Sequence, residues 1–355
     1  MSQPPGFEDR DHPDYVCHLH KSLYGLKQAP CVWFHRLSEF LLGLGFVASK
    51  TDSSLFILRT NSHVLYVLIY VDDILVTSND SSQVSLLLRQ FATEFSIKDL
   101  GDLHFFLGIE AVQNFTGLLL SQTRYIRDLL SKAGMIDCKP VQTPMAMTQG
   151  SDSGGAPYPD PTQYRSIVRA LQYVTLTRPD ISFAVNKVCQ FMQSPSSDHW
   201  VMIKCILRYL QATADHGLQI QRSTSRSLQA SSDADWAGSG TDRHSTGGYA
   251  IFFSPNLISW ASRKQKIVAR SSTESEYKAL ADASAELIWL ESLFQELGYP
   301  LHGPSILWCD NIGATYFSIN PVFHARTKHV EIDFHFVREH VARHQLSVQF
   351  ISTQD

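Results

Sequence analysis

Apolar side chains recur along this chain in two rhythms, alternation and helical spacing, and the changes between them mark its elements. Residues 55 to 60 and 64 to 71 are rich in β-branched and aromatic side chains, and the polar "TNSH" between them has turn chemistry, which predicts two strands. A third short strand, "ILVTS", follows an aspartate pair. Val84, Leu87, Leu88 and Phe91 then fall at helical spacing, and "LHFFLGIEAV" predicts a strand again. In "QTRYIRDLLSKAGM", Tyr125, Leu129 and Leu130 share one helical face and Gly134 supplies the stop. The first region is therefore expected to be α+β.

Residues 141 to 164 combine four prolines and three glycines with few apolar side chains, which predicts a linker or long surface loop. Two amphipathic helices follow. Ile181, Ala184, Val185, Val188 and Met192 form the stripe of one, with Pro179 at its start, and Ile203, Ile206, Leu207 and Leu210 form the next. From about residue 228 the order is strand, hairpin, long helix from Glu274 to Leu297, strand, a helix-prone segment to His344, and a last strand "LSVQFIS". That order predicts a mixed α/β domain. The expected division is 1–140, 141–226 and 227–355.

Composition narrows this little. A net charge of −4 over 355 residues creates no global positive field, so a polyanionic partner has to be held by local patches or by metal. Six cysteines stand far apart with no close pair, which suits a reducing compartment and buried or neutral thiols. The first fifteen residues have no apolar core and do not read as a secretory signal. The longest apolar run, Val64 to Val71, is less than half of the roughly 20 residues that a membrane span requires. A soluble intracellular protein with no membrane partner is expected.

The candidate chemistry lies in carboxylates. A hard divalent cation takes oxygen ligands, so a site that handles phosphates offers two or more carboxylates on rigid elements. Asp72 and Asp73 meet that need if they sit at a tight turn between strands; a bare aspartate pair also fits an ordinary hairpin turn. In the last region Asp233 falls on a predicted strand, Glu274 and Glu276 at a helix start, and Asp310 at a strand end. Taken singly, Asp233 reads as a turn residue, Asp310 as a helix cap and Glu276 as the capping-box partner of Thr273. Helical geometry leaves Glu274 and Glu276 both open, since both border the stripe through Tyr277, Leu280, Ala281 and Ile288. The histidines His335, His340 and His344 have no further ligand near them in sequence and read as surface residues.

The collinear segments "QPPGF", "KSLYGLKQAP", "YVDDILVTS", "KDLGDLHFFLGIE", "TRPDISFAVN", "SDADWAG", "STGGY", "SWASRKQ", "ARSSTESEY", "WCDN" and "NPVFHARTKHVEID" resemble copia-type retrotransposon Pol polyproteins over nearly the whole chain. The resemblance implies part of a right-hand polymerase, palm and start of thumb, in 1–140, a helical connection in 141–226, and a ribonuclease H-like domain in 227–355. It implies that Asp72 is a metal ligand of the polymerase site with Asp73 as its less direct neighbour, and that Gly25, Lys27 and Pro30 belong to the wall around template and incoming nucleotide. By the same resemblance Phe106, Leu107 and Gly108 form the primer-gripping strand. Asp233, Glu276 and Asp310 correspond to metal-holding carboxylates of the hydrolase, which selects Glu276 over Glu274. Arg263, Lys264, Lys266 and Arg270 either track hybrid phosphates or are solubilising charge on exposed strands.

The implied cofactor is Mg²⁺, with Mn²⁺ as a substitute, used as two ions roughly 4 Å apart. The implied partners are an RNA template, a DNA primer, deoxynucleotides and an RNA–DNA hybrid, in a cytoplasmic virus-like particle or the nucleus. Departures are also visible. The family's further polymerase aspartate and its fourth hydrolase carboxylate fall outside the sequence, and Cys31, Arg169 and His244 replace an expected arginine, glycine and basic residue. The expectation is a copy incomplete at both ends and without polymerase activity, with a hybrid-binding remnant that does no chemistry as the other reading.

Overall fold

Alternating side chains make Val64–Tyr70 a strand with one buried face, formed by Leu65, Val67 and Ile69. The computed structural model describes residues 2–19, 25–26, 28–145, 155–240, 242–320 and 331–352, and the chain forms two compact units, Met1–Leu100 and Gly101–Asp355. In the first unit α1 (Ala29–Gly43) leads into β1 (Val47–Ala48), β2 (Leu55–Arg59), β3 (Val64–Tyr70) and β4 (Asp73–Ser78), followed by α2 (Ser81–Glu94). The four strands form an antiparallel meander in sequence order. The inner face of β3 meets Leu37 and Leu41 of α1 and Leu87 and Phe91 of α2 in one core. Asp80 begins α2 where the pattern turns helical, its carboxylate accepting from the Ser82 N–H at 2.9 Å.

The second unit opens with β5 (Phe105–Phe106), β6 (Ile109–Asn114), β7 (Gly117–Ser121) and α3 (Thr123–Lys132). Helices α4 (Pro161–Val174), α5 (Ser182–Cys189) and α6 (Ser197–Ala212) follow, and β8 (Gly217–Gln221) returns to pair antiparallel with β7. Two expectations change here. "LHFFLGIEAV" is a hairpin, because Leu107 and Gly108 take φ of 49° and 74° and turn the chain between β5 and β6. The end of the expected linker is helix: Pro161 sits in the first turn of α4, and Asp160 accepts from Thr162 N and Gln163 N. Ile126, Leu129 and Leu130 of α3 share a core with Ile167, Leu171, Val185, Ile203 and Leu207 of the later helices. The division into compact units falls after Leu100.

The rest of the second unit is β9 (Leu228–Asp235), β10 (Thr246–Phe253), β11 (Asn256–Lys264), α7 (Ser272–Glu296), β12 (Ser305–Cys309), α8 (Ile312–Ile319), α9 (Glu331–Ala342) and β13 (Leu346–Phe350). The sheet order is β11-β10-β9-β12-β13, with the first three antiparallel and β12 parallel to both β9 and β13. Tyr277, Leu280, Ala283 and Leu287 of α7 are buried with Leu228, Ala230, Ile251 and Leu307 of the sheet. The fold class is thus α+β followed by α/β, as the sequence implies. Among the described residues no helix is long and apolar enough to cross a membrane.

The outer strand β11 does not lie bare. Asn256 accepts from Gln221 N at 2.7 Å and donates to Gln221 O at 3.0 Å, so its amide continues the ladder of β8. Asn186 of α5 donates to the Ser262 carbonyl at 2.8 Å, and Trp260 Nε1 donates to Thr175 O at 3.1 Å. Covering an edge in this way satisfies groups that would otherwise template a further strand.

A second fixed point is Arg178, whose side chain is 2% exposed. Its guanidinium donates to both Asp180 oxygens, at 3.0 and 2.7 Å, and to Thr213 O at 2.7 Å. Burial raises the proton affinity of Asp180, but hydrogen bonds from Arg178 and Tyr209 outweigh it and hold the carboxyl below its ordinary value. Removing Asp180 leaves a buried cation without its counter-charge, a loss worth about 3–5 kcal/mol. Asp180→Ala is expected to lower unfolding free energy by that order in denaturant titrations; a change below about 1 kcal/mol would mean that the pair is not structural.

Candidate functional site

Three elements carry the acidic cluster. Strands β9 and β12 run parallel with Ser232 opposite Cys309, so the next residues on each, Asp233 and Asp310, leave the pair side by side. The third carboxylate comes from the first turns of α7. Ser271 caps that helix by accepting from Glu274 N at 3.2 Å, and Glu274 accepts from Arg270 N at 2.8 Å and pairs with Lys278 at 2.8 Å. Glu274 is thus used in closing the helix end. Glu276, two residues on, turns to the sheet, where its Oε1 accepts from Ala234 N at 3.2 Å. The cap belongs to Ser271 and Glu274, and the alternative reading of Glu276 as the partner of Thr273 falls.

Glu276 is 6% exposed, yet its Oε2 has no hydrogen-bond partner. Burial first, then the charges of Asp233 and Asp310, push its pKa from 4.5 up to about 8. Burial and then Asp310 also raise that of Asp233. Carboxylates forced together against their own repulsion, with one oxygen left unsatisfied, are the donor set that a hard divalent cation completes. The residues therefore fit Mg²⁺ or Mn²⁺. A member absent from the sequence reading is Cys309: ligand atoms of Glu276, Cys309 and Asp310 all lie within 4.8 Å of one another. The signal was the thiol next to the strand-end aspartate in "WCDN", passed over because it has no second cysteine nearby.

Asp235 shares the strand with Asp233 but does different work. Its carboxylate accepts from Thr246 N and helps fix the start of β10. The basic stretch is divided as well. Lys264 pairs with Asp242 at 2.6 Å, whose carboxyl is held well below the usual range by that hydrogen bond, and Arg263 and Lys266 lie near enough to Asp282 to lower its proton affinity against burial. Arg263, Lys266 and Arg270 keep exposed side chains; Lys264 is half-buried. His335 and His340 lie on α9 and His344 lies just beyond it; His340 Nδ1 is 2.8 Å from Gln345 Oε1, and the three histidines are not part of the metal-ligating group found among the described residues.

In the first unit the aspartate pair occupies a hairpin. Tyr70 pairs with Asp73 across β3 and β4, leaving Val71 and Asp72 as the loop, and both aspartates are exposed. Val71 has φ of 52°, a left-handed conformation that a β-branched residue adopts only under constraint. The constraint is visible: Trp33 of α1 donates from Nε1 to the Val71 carbonyl at 2.9 Å. Gly25 takes φ of 91°, which suits glycine, and Pro30 lies in the first turn of α1, whereas Lys27 lies outside the described residues. In the second unit the Phe106–Ile109 turn is gripped similarly, the Tyr173 hydroxyl donating to Leu107 O; a Cβ on Gly108 would collide with that hydroxyl.

The mixed five-stranded sheet in the order β11-β10-β9-β12-β13, packed by α7, defines a ribonuclease H-like fold, here in one chain with an exposed aspartate hairpin. Residues 1–147 match the family model described as reverse transcriptase (RNA-dependent DNA polymerase). The whole chain is 51% identical to the retrovirus-related Pol polyprotein from transposon RE2 of Arabidopsis thaliana, covering 24% of it. It is 32% identical to a putative transposon Ty5-1 protein of Saccharomyces cerevisiae, with 81% of this chain and 94% of that one covered. Among solved structures LC11-RNase H1, isolated from compost, is 17% identical over 36% of this chain and 86% of that chain, with a TM-score of 0.28. The chain belongs to the copia-type retrotransposon Pol family, and it spans about a quarter (24%) of the first curated relatives it matches.

Two measurements check this geometry. An acid whose pKa is 4.5 when unfolded and about 8 when folded keeps a proton in the fold that the unfolded chain has released. Stability from this group is therefore complete below pH 4.5 and is lost as pH rises to about 8. The thermal midpoint in chelator is expected to fall between those values, and Mn²⁺ or the Glu276→Gln change should flatten the slope; an equal slope in Glu276→Gln would remove Glu276 as its source. Trp33→Phe should cost about 1 kcal/mol and speed hydrogen exchange in β3 and β4, while unchanged exchange would show that Trp33 does not brace the loop.

Proposed function

We propose that this chain is the part of a Pol polyprotein in which the aspartate hairpin serves RNA-directed DNA synthesis and the acidic cluster hydrolyses RNA in an RNA–DNA hybrid. The observation that carries the reading is the convergence of Asp233, Glu276 and Asp310 from a strand, a helix start and a neighbouring strand end. Bound divalent cations supply Lewis-acid activation of the attacking oxygen and stabilise charge on the leaving oxygen. Asp233, Glu276 and Asp310 would hold them, and the Ala234 N–H fixes one Glu276 oxygen while the other, Oε2, stays buried without a hydrogen-bond partner. The exposure of Arg263, Lys266 and Arg270 suits contact with phosphates of the hybrid, and Lys264 holds the loop through Asp242.

At the polymerase hairpin Asp72 is the ligand and Asp73 begins the strand that supports it. Gly25, Lys27 and Pro30 would line the path of template and deoxynucleotide, and Phe106, Leu107 and Gly108 would position the DNA primer. The carry-over of these roles rests on the family.

The test is cleavage of an end-labelled RNA–DNA hybrid by the purified chain in Mg²⁺ or Mn²⁺. Cleavage that Asp310→Asn reduces by roughly 100-fold or more supports the hydrolase. Cleavage indifferent to Asp310 overturns it. Binding of the hybrid that weakens steeply with salt, without cleavage, supports the second reading, a binding module resting on the exposed cations of the basic stretch.

A further inference from the structure

We infer that Cys309 makes the acidic cluster a site for thiophilic divalent cations, Zn²⁺ or Cd²⁺, held by Cys309 Sγ with one oxygen each from Glu276 and Asp310. These three ligand atoms lie within 4.8 Å of one another. Metal–sulfur and metal–oxygen distances of about 2.3 and 2.1 Å place tetrahedral ligands roughly 3.6 Å apart, so closure needs a contraction of roughly 1 Å. Side chains at the ends of adjoining elements can supply that.

The second observation is Glu276 itself. Its side chain is 6% exposed, one oxygen is fixed by Ala234 N, the other is buried with no partner, and one of its oxygens lies within 4.8 Å of the thiol. The contacts to be exchanged at sulfur are a weak one to Asn311 O at 3.8 Å and one with the Ser232 side chain. Mg²⁺ prefers oxygen alone, whereas Zn²⁺ and Cd²⁺ gain from a thiolate, so the thiol changes which cations the cluster retains. On binding, the thiol proton passes to solvent and the sulfur lone pair goes to the metal. Cations enter from the side of Asp233, which is exposed, past the half-buried Asp310. Capture would take two carboxylates from the hard cation, and the inference needs only the cluster, not the hydrolase reading.

The experiment is titration of the metal-free, full chain with Cd²⁺, read by the ultraviolet sulfur-to-cadmium charge-transfer band. In Cys309→Ala the tightest Cd²⁺ event should lose its band and weaken at least about tenfold, and Glu276→Gln, which keeps the thiol, should weaken it by a similar factor. Thermal unfolding of the metal-free variants shows whether each is folded, and Glu276→Gln decides the matter if Cys309→Ala is not. Wild-type affinity in a folded Cys309→Ala or Glu276→Gln protein overturns the inference. Hybrid cleavage that ignores Asp310, alongside intact Cys309-dependent Cd²⁺ binding, overturns only the hydrolase reading.

Discussion

Parallel pairing of β9 with β12 is the constraint on which the acidic cluster depends. With Ser232 opposite Cys309, Asp233 and Asp310 emerge together, and a slip of one residue would send one of them to the opposite face. The register is protected by burial. Leu228, Ala230, Leu307 and Cys309 lie in the core beneath α7, so a slip would also expose apolar side chains. Repulsion among the carboxylates is thereby opposed by packing, to which Cys309 contributes as well as bordering the cluster. A cation relieves the repulsion without having to create the geometry.

The two hairpins β3–β4 and β5–β6 solve a different problem in the same way. Val71 and Leu107 both take left-handed φ, at 52° and 49°, where side chains are strained. Each carbonyl then accepts a hydrogen bond from an aromatic side chain on a helix, Trp33 for Val71 and Tyr173 for Leu107. The two turns belong to separate units, so the repetition comes from local chemistry: an aromatic body buries itself while its polar tip reaches a backbone acceptor.

Much of this was legible in the sequence, and the misses have physical causes. Alternation over Val64–Tyr70 reported burial faithfully, and so did the stripe of α7 at Tyr277, Leu280 and Ala281, whereas at its end Leu287 rather than Ile288 enters the core. The motif order brought Asp233, Glu276 and Asp310 into one proposal, and the geometry gathers them. The choice between Glu274 and Glu276 was not available from periodicity, since it depends on which residue satisfies the helix end. "LHFFLGIEAV" hid a turn because Leu107 carries no signal of left-handed backbone. The start of α4 was hidden by proline-rich context, although an aspartate cap and a first-turn proline were both present. Cys309 was missed because its neighbours come from distant elements.

The hydrogen bonds that cover β11 bear on where this polypeptide can be cut. Asn256 completes Gln221, Asn186 completes Ser262, and Trp260 reaches Thr175, so four hydrogen bonds link the two sides of residue 226. A fragment begun at residue 227 would retain the sheet and its carboxylates but lose every one of these partners, leaving a sticky edge for self-association. The helical layer is in this sense the lid of the sheet, and the smallest soluble piece should begin near Gly101, where the second compact unit starts.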